Sequence, residues 1–266
     1  MPGPGSGRPR RAGRPGRRGG IAVAAARPPV DLTAVDVVIF DKDGTLIDFH
    51  AMWGGWARGL GDRLDAVIRR PVSLDVFAAI GFDPASGRVA PGGQLATATM
   101  AGIEEAVARV LRRWCPSIAA ARRATEAAWS IPDPVALAVP LADLPAIFGR
   151  LRTDGRRIAV VTTDDRAPTD ATLRSLGVRD EVGAMVCGDD GFAMKPEPDP
   201  VFAVCQAFRS DPTRAIVIGD TPADIAMGRA AGAGRVVGVR SGLGSDRDLA
   251  DADAIIDSIG DLLAPP

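Results

Sequence analysis

The sequence predicts an α/β fold in which a parallel sheet carries helices on both faces and an added helical insert. The first observation is a set of short, almost wholly apolar runs, which are typical of strands buried on both faces. They lie at 35–40, 158–162, 183–187, 215–219 and 235–239. The second is that helical patterns separate the later runs, at 141–155, 167–177, 199–210 and 222–232. Such alternation predicts parallel pairing through right-handed crossovers.

The stretch before the first strand differs from the rest of the chain. Residues 1–30 carry seven arginines, no acidic residue and many Pro and Gly residues, which predicts a disordered basic tail. Three other interpretations stay open: a twin-arginine export signal at Arg17–Arg18, an arm that binds nucleic acid or anionic lipid, and an over-extended start. Since the whole chain has a net charge of −1, residues 31–266 are acidic and nucleic acid is an unlikely partner for them.

The stretch 51–135 breaks the alternation of strands and helices. It predicts three helices at about 53–69, 100–114 and 117–129, with a long Gly/Pro-rich loop at 81–94. All four tryptophans lie in it, and we expect Trp53 and Trp56 to pack in its core. The predicted organisation is therefore a core of 31–50 and 136–266 with a helical domain at 51–135.

The amino-acid composition limits the kinds of metal site that the chain can form and the cellular compartments in which we expect it. No run approaches the ~20 apolar residues that a membrane helix needs, so we expect no membrane association. The three cysteines are far apart and odd in number, which predicts reduced thiols and a cytoplasmic location. The single histidine, His50, excludes a histidine-rich metal site. Only Lys42 and Lys195 are lysines among 32 basic residues, which suggests positions that Arg cannot fill.

The first chemical motif is Asp41-Lys42-Asp43-Gly44-Thr45-Leu46, directly after the first strand. Ligands of parallel α/β sheets bind beyond the carboxyl ends of the strands. Two carboxylates held two residues apart repel each other and favour a divalent cation between them. Gly44 allows the backbone to turn sharply. The alternative interpretation is a capping Asp followed by an Asp-Gly turn.

Three further motifs follow in order, each expected at the end of a strand. Thr162 closes the second apolar run, Lys195 opens KPEPDP, and Asp220 begins the GDTPAD segment that contains Asp224. Together with DKDGTL, these motifs resemble the four signatures of the haloacid dehalogenase superfamily, in its phosphoglycolate phosphatase-like branch. The resemblance covers residues 35 to about 260. It implies a Rossmann-like core, with the insert as a mobile helical cap.

The resemblance implies a magnesium-dependent phosphatase. Mg²⁺ would be held by the Asp41 carboxylate, the Asp43 backbone carbonyl and the Asp220 carboxylate. Asp41 would attack phosphorus to give an aspartyl-phosphate, and Asp43 would act as general acid and then as general base. Asp224 would orient Lys195 or a metal-bound water.

The resemblance also implies the groups that bind the phosphoryl oxygens. Thr162 and the backbone N–H of Thr163 would donate hydrogen bonds to them, and Lys195 would neutralise their charge. His50 lies near the expected hinge, where it would bind substrate by positioning the leaving group or would time the closure of the cap. The alternative interpretation is a hydrogen-bonded structural residue. The loop Gly92-Gly93-Gln94 is the expected specificity segment, because of its position and loop character.

The expected substrate is a small phosphorylated metabolite, either phosphoglycolate-like or a sugar phosphate. Residues 46–194 hold no lysine, which excludes the Schiff-base chemistry of phosphonoacetaldehyde hydrolases. It also disfavours a phosphomutase, which remains an alternative, as does a non-catalytic binding module. We expect a monomer or a homodimer.

Overall fold

The computed structural model describes Met1, Gly3, residues 30–98 and residues 100–263. The predicted basic tail therefore lies almost wholly outside the described residues. In chain order the elements are β1 (Val37–Phe40), α1 (Phe49–Ile68), α2 (Ser73–Ile80), β2 (Phe82–Asp83), β3 (Arg88–Val89), α3 (Gln94–Thr97), α4 (Met100–Leu111), α5 (Ile118–Ala128), α6 (Leu144–Thr153), β4 (Arg157–Val161), α7 (Arg166–Ser175), β5 (Val182–Val186), α8 (Asp199–Phe208), β6 (Ala215–Gly219), α9 (Pro222–Ala230), β7 (Arg235–Val239) and β8 (Ala254–Ile256).

The central sheet is parallel, with the strand order β5-β4-β1-β6-β7-β8. All four residues of β1 are buried, and they alternate between two apolar layers. Val38 and Phe40 pack in the layer that contains residues of α6 and α7. Val37 and Ile39 pack in the layer that contains residues of α8 and α9. The predicted α/β class, with a parallel sheet covered on both faces, is confirmed.

The register of β1 sets where the candidate site lies. Phe40 stands opposite Val160 of β4 on one side and Ile218 of β6 on the other. The residues that follow these three therefore emerge at one edge of the sheet. The chain builds outward in opposite directions from β1, and such a reversal opens a crevice at the carboxyl ends of the strands.

Helices α1 to α5 form a helical unit with an apolar cluster of its own, in which Leu60, Val76 and Val107 are fully buried. Helix α1 begins at Phe49 because Asp48 caps it, accepting a hydrogen bond of 2.9 Å from the backbone N–H of Ala51. The helix thus crosses the predicted boundary at residue 50. The division of the chain into two domains stays a prediction.

Five elements were not predicted: α2, β2, β3, α3 and β8. The hairpin of β2 and β3 lies inside the stretch 81–94 that was predicted to be a loop. The Asp83 carboxylate holds the hairpin turn by accepting hydrogen bonds from Ala85 and Ser86. Helix α3 has four residues and β8 has three, which are too few to produce a recognisable pattern.

Two features of the described residues relate to the expected cellular location. Cys115, Cys187 and Cys205 form no disulfide. No helix within the described ranges is long and apolar enough to cross a membrane.

Candidate active site

Asp41 is the first residue beyond β1, and its backbone N–H donates a hydrogen bond of 2.9 Å to the carbonyl of Ile218. This bond continues the pairing of β1 with β6 by one residue, so the position of Asp41 is fixed by the sheet. Its carboxylate is 8% exposed and forms an ion pair with Lys195. Burial raises the pKa of Asp41 to about 7, although the Lys195 ammonium opposes the shift.

Lys195 lies between two carboxylates. Besides Asp41, its Nζ contacts Oδ1 of Asp224 at 2.6 Å. The other oxygen of Asp224 accepts hydrogen bonds from the N–H and the hydroxyl of Thr221, at 3.0 and 2.6 Å. These bonds belong to the capping box that begins α9. The start of that helix therefore orients Lys195 toward Asp41.

Asp220 follows β6 and is fully buried. Its Oδ2 accepts a hydrogen bond of 2.8 Å from the backbone N–H of Leu243, whereas Oδ1 has no hydrogen-bond partner. A Cβ on Gly44 would lie 2.4 Å from Oδ2, and one on Gly242 would lie 1.9 Å away. The two glycines thus allow two loops to close directly over this carboxylate. Burial raises the pKa of Asp220, and Asp41 and Asp224 add to the shift.

These residues fit a magnesium ion. Single carboxylate oxygens of Asp41, Asp220 and Asp224 lie within 4.8 Å of one another. A buried carboxylate oxygen without a partner, as in Asp220, is costly unless a cation or a donor fills the space beside it. Hard oxygen ligands are those that Mg²⁺ prefers. Both oxygens of Asp224 already have protein partners, so its geometry suits the expected orienting role better than direct coordination.

Asp43 is held apart from this acidic group. Its Oδ1 lies 2.6 Å from Nζ of Lys42, which also contacts Oδ2 of Asp164 at 2.9 Å. The Lys42 side chain is 2% exposed. Burial raises the pKa of Asp43, and Lys42 opposes that shift. Sequence analysis did not identify Asp164 as a partner of Lys42. The scarcity of lysine in the chain pointed to Lys42 itself, but no sequence pattern pointed to Asp164.

Residues after β4 form the next side of the site. Thr162 is buried, its backbone N–H donates to the carbonyl of Val186 at 3.0 Å, and its Oγ1 accepts from the N–H of Asp164 at 3.2 Å. That arrangement leaves the Thr162 hydroxyl hydrogen available to donate. Thr163 is exposed and lines the cavity.

His50 lies on α1, and both of its ring nitrogens contact the backbone. Its Nδ1 accepts a hydrogen bond of 3.1 Å from the N–H of Val89, and its Nε2 lies 3.2 Å from the carbonyl of Gly242. With both ring nitrogens engaged by the backbone, His50 has no atom free for a substrate, and it does not line the cavity. These contacts fit the structural interpretation of His50, as a link between β3 and the loop over Asp220.

A cavity of about 260 Å³ lies over the carboxylates. Trp56 packs in the helical core as expected, but Trp53 is only half-buried and lines this cavity. The expected specificity loop Gly92–Gln94 leads directly into Leu95 and Ala96, which also line it. The cavity thus has a charged floor and a largely apolar roof. The floor is Asp41, Asp43, Lys195, Asp220 and Asp224, and the roof is Phe49, Trp53, Leu95, Ala96 and Leu243.

Comparison with known proteins gives consistent matches. The family of haloacid dehalogenase-like hydrolases matches residues 35–232. A phosphoglycolate phosphatase of Rhodospirillum rubrum is 30% identical over 75% of this chain and 78% of its own length. One from Pectobacterium atrosepticum is 28% identical over 88% and 93%. A Thermotoga maritima crystal structure described as a β-phosphoglucomutase has a TM-score of 0.62 at 18% identity, covering 86% of this chain and 97% of that one.

Proposed function

Because this chain belongs to the haloacid dehalogenase-like hydrolase family and is a phosphoric monoester hydrolase, we propose that it hydrolyses a small phosphate monoester, with Mg²⁺ as cofactor and Asp41 as nucleophile. The observation that carries the proposal is the placement of Asp41. Its carboxylate lies on the floor of the cavity, paired with the Lys195 ammonium and with one oxygen within 4.8 Å of a carboxylate oxygen of Asp220. The substrate would be a small phosphorylated metabolite, such as phosphoglycolate or a sugar phosphate.

The ligands of the proposed cation are the carboxylates of Asp41 and Asp220 and the backbone carbonyl of Asp43. When bound, Mg²⁺ cancels the negative field that keeps an anionic nucleophile away from an anionic phosphate. Asp224 is proposed as an orienting residue, because Lys195 and Thr221 occupy its oxygens. The partnerless Oδ1 of Asp220 supports this ligand set.

The proposed reaction has two chemical steps. In the first, an Asp41 oxygen forms a bond to phosphorus, the ester P–O bond breaks, and Asp43 gives its proton to the departing alcohol. In the second, Asp43 takes a proton from water as the water oxygen attacks the aspartyl-phosphate, which frees inorganic phosphate and restores Asp41. The raised pKa of Asp43 supports its role as a proton donor.

The negative charge on the transferred phosphoryl group must be stabilised by a cation and by hydrogen-bond donors held in fixed positions. Lys195 is held in place by Asp224 and is close to Asp41, so it can neutralise phosphoryl oxygens without moving far. The Thr162 hydroxyl and the Thr163 backbone N–H are the proposed hydrogen-bond donors on the β4 side. Their location directly after β4, one strand away from Asp41, supports this role.

Phosphate release from a panel of small esters, with and without Mg²⁺, tests the proposal. We expect turnover that requires Mg²⁺ and that falls by more than ~10³-fold in Asp41→Asn, since an amide is a poor nucleophile. Turnover that survives Asp41→Asn would show that another group attacks phosphorus. Formation of an isomeric phosphate ester without free phosphate would identify the alternative, a phosphomutase. Binding of esters without either product would identify a non-catalytic module.

A further inference from the structure

The roof of the cavity offers no charge to the alcohol part of a substrate. It is formed by Phe49 and Trp53 of α1, whose ring centroids are 6.0 Å apart, by Leu95 and Ala96 of α3, and by Leu243. Each of these side chains is apolar or aromatic, and such surfaces favour uncharged groups with an apolar face.

The cationic groups near the cavity are already paired. Among the described residues that line it, Lys195 is the sole cation, and it is bound between Asp41 and Asp224. Lys42, buried beside the cavity, is bound between Asp43 and Asp164. No arginine is found among the lining residues that the structure describes.

The charges that do face the leaving group are negative. Asp43 and Asp164 both line the cavity, and the Asp164 side chain is 43% exposed. Lys42 is the one cation bound to these two acids, and its charge balances only one of them when both are ionised. A carboxylate or a second phosphate on the alcohol would add a further negative charge, and the described lining residues offer no unpaired cation to offset it. An unpaired anion in a partly dehydrated pocket is strongly disfavoured.

We propose that the substrate of this site is a phosphate monoester of an uncharged alcohol with an apolar face, and that the cavity selects against esters whose alcohol carries a carboxylate or a second phosphate. The inference rests on the proposed phosphatase activity and narrows its substrate class. The proposed substrate class differs from the substrate in the name of the Rhodospirillum rubrum relative, because phosphoglycolate carries a carboxylate on the carbon that bears the phosphate ester.

A matched pair of esters provides the test. Phosphoglycolate and its neutral amide, phosphoglycolamide, differ by one charge at nearly equal size. We expect kcat/KM with Mg²⁺ to be at least ~10-fold higher for the amide, and higher again for phenyl phosphate, because like charges across a binding surface are costly. Equal or faster hydrolysis of phosphoglycolate would overturn the inference and would leave the proposed phosphatase activity intact.

A pair of variants at one position tests the electrostatic cause. Ala96→Lys adds a cation to the roof and should reduce the preference for the amide by several-fold. Ala96→Met has similar length without charge and should keep the preference. If both variants change the ratio equally, shape and not charge decides it, and the inference fails.

Binding separates this inference from the activity on which it rests. If no ester releases phosphate, the proposed function fails, and the dissociation constants of the two esters for Asp41→Asn with Mg²⁺ then decide the inference. Tighter binding of phosphoglycolamide supports it, whereas equal or tighter binding of phosphoglycolate contradicts it.

Discussion

At the scale of single residues, the site depends on carboxylates that are each restrained by a different neighbour. Asp41 is held by Lys195, Asp43 by Lys42, and Asp220 by the backbone N–H of Leu243. Because like charges so close together repel, these separate restraints keep each carboxylate in its own role. The cations and the backbone therefore matter as much as the acids.

Lys42 offers a test of this division. Lys42→Met removes the contact that directs Asp43, so proton transfer to the leaving alcohol should weaken. For an alkyl phosphate we expect kcat/KM to fall about 10²-fold, within the usual contribution of a general acid. For p-nitrophenyl phosphate we expect a much smaller loss, because nitrophenolate leaves without a proton.

Lys42→Arg serves as the control for that experiment, since it keeps the charge and should restore part of the activity on alkyl phosphates. A loss of equal size on both classes of ester would show that Lys42 supports the fold and does not position Asp43. kcat/KM is the informative constant, because it reports the steps up to cleavage of the ester bond.

Gly242 provides a second test at this scale. A Cβ there would lie 1.9 Å from Oδ2 of Asp220, so Gly242→Ala must displace the carboxylate or the loop. We expect the stabilisation by Mg²⁺, measured as a shift in Tm, to be largely lost. Gly149→Ala is the matched control, because its Cβ would meet no atom within 4 Å. Retention of the Mg²⁺ effect in Gly242→Ala would argue against Asp220 as a ligand.

The polar residues that follow the strands could be predicted from the sequence, whereas the side chains with which the site residues pair could not. Asp41, Thr162 and Asp220 follow apolar runs, and the structure brings all three to one edge of the sheet. The pairing of Lys42 with Asp164 depends on how two loops meet, about 120 residues apart in sequence, which no local pattern encodes. The partners of His50, on β3 and beside Asp220, could not be predicted for the same reason.

At the scale of elements, helix α1 is the connection between the helical unit and the core. It begins at Phe49, directly after the first motif, and contributes both Trp53 on the cavity roof and His50 on the side facing β3. His50 links the hairpin to the loop that covers Asp220. Because its Nδ1 accepts, Nε2 carries the proton and donates to Gly242.

His50→Phe tests this link by removing both hydrogen bonds while keeping a ring. Leaving a buried backbone group unpaired costs about 1–3 kcal/mol. For a domain of this size each kcal/mol lowers Tm by roughly 2–4 °C, so we expect a decrease of several degrees. His50→Asn retains an acceptor for Val89 and His50→Gln retains a donor for Gly242, and each should recover part of the loss. An unchanged Tm in His50→Phe would contradict the linking role.

Elements with long, regular patterns were predicted better than short ones. The strands at β4 to β7 agree with the apolar runs to within a residue or two, because burial on both faces makes them nearly continuous. The hairpin of β2 and β3 has two residues per strand, and its turn combines the Asp83 carboxylate with Gly87 at a positive φ. Such elements form through tertiary packing, which the local sequence does not reveal.

At the scale of the whole molecule, the buried carboxylates couple stability to pH and to the metal. An unfolded Asp ionises near its ordinary value, whereas folded Asp41 holds its proton up to about pH 7. Between these values the folded state binds more protons, so the stability of the metal-free protein falls as pH rises toward 7. Binding of Mg²⁺ requires ionised Asp41, so protons compete with the metal at low pH.

We therefore expect the increase in Tm caused by Mg²⁺ to be larger at pH 8 than at pH 5.5. Thermal unfolding at both pH values, with Mg²⁺ or with a chelator, measures it. In Asp41→Asn the amide does not ionise, and the dependence of the Mg²⁺ effect on pH should be weaker. An equal Tm increase at both pH values would show that Asp41 is not a ligand or that its pKa is not raised.

The position of β1 also governs the order in which the molecule can be built during synthesis. Val37 pairs with Arg157 and Ala215, so the partner strands of β1 leave the ribosome about 120 and 180 residues later. Until then its four apolar residues have no neighbouring strand, which is the state that chaperones protect. The helical unit, whose buried cluster residues all lie between β1 and β4 in sequence, can assemble during that interval. The nascent chain can thus form the part of the roof that α1 and α3 supply before Lys195, Asp220 and Asp224 of the floor have been synthesised.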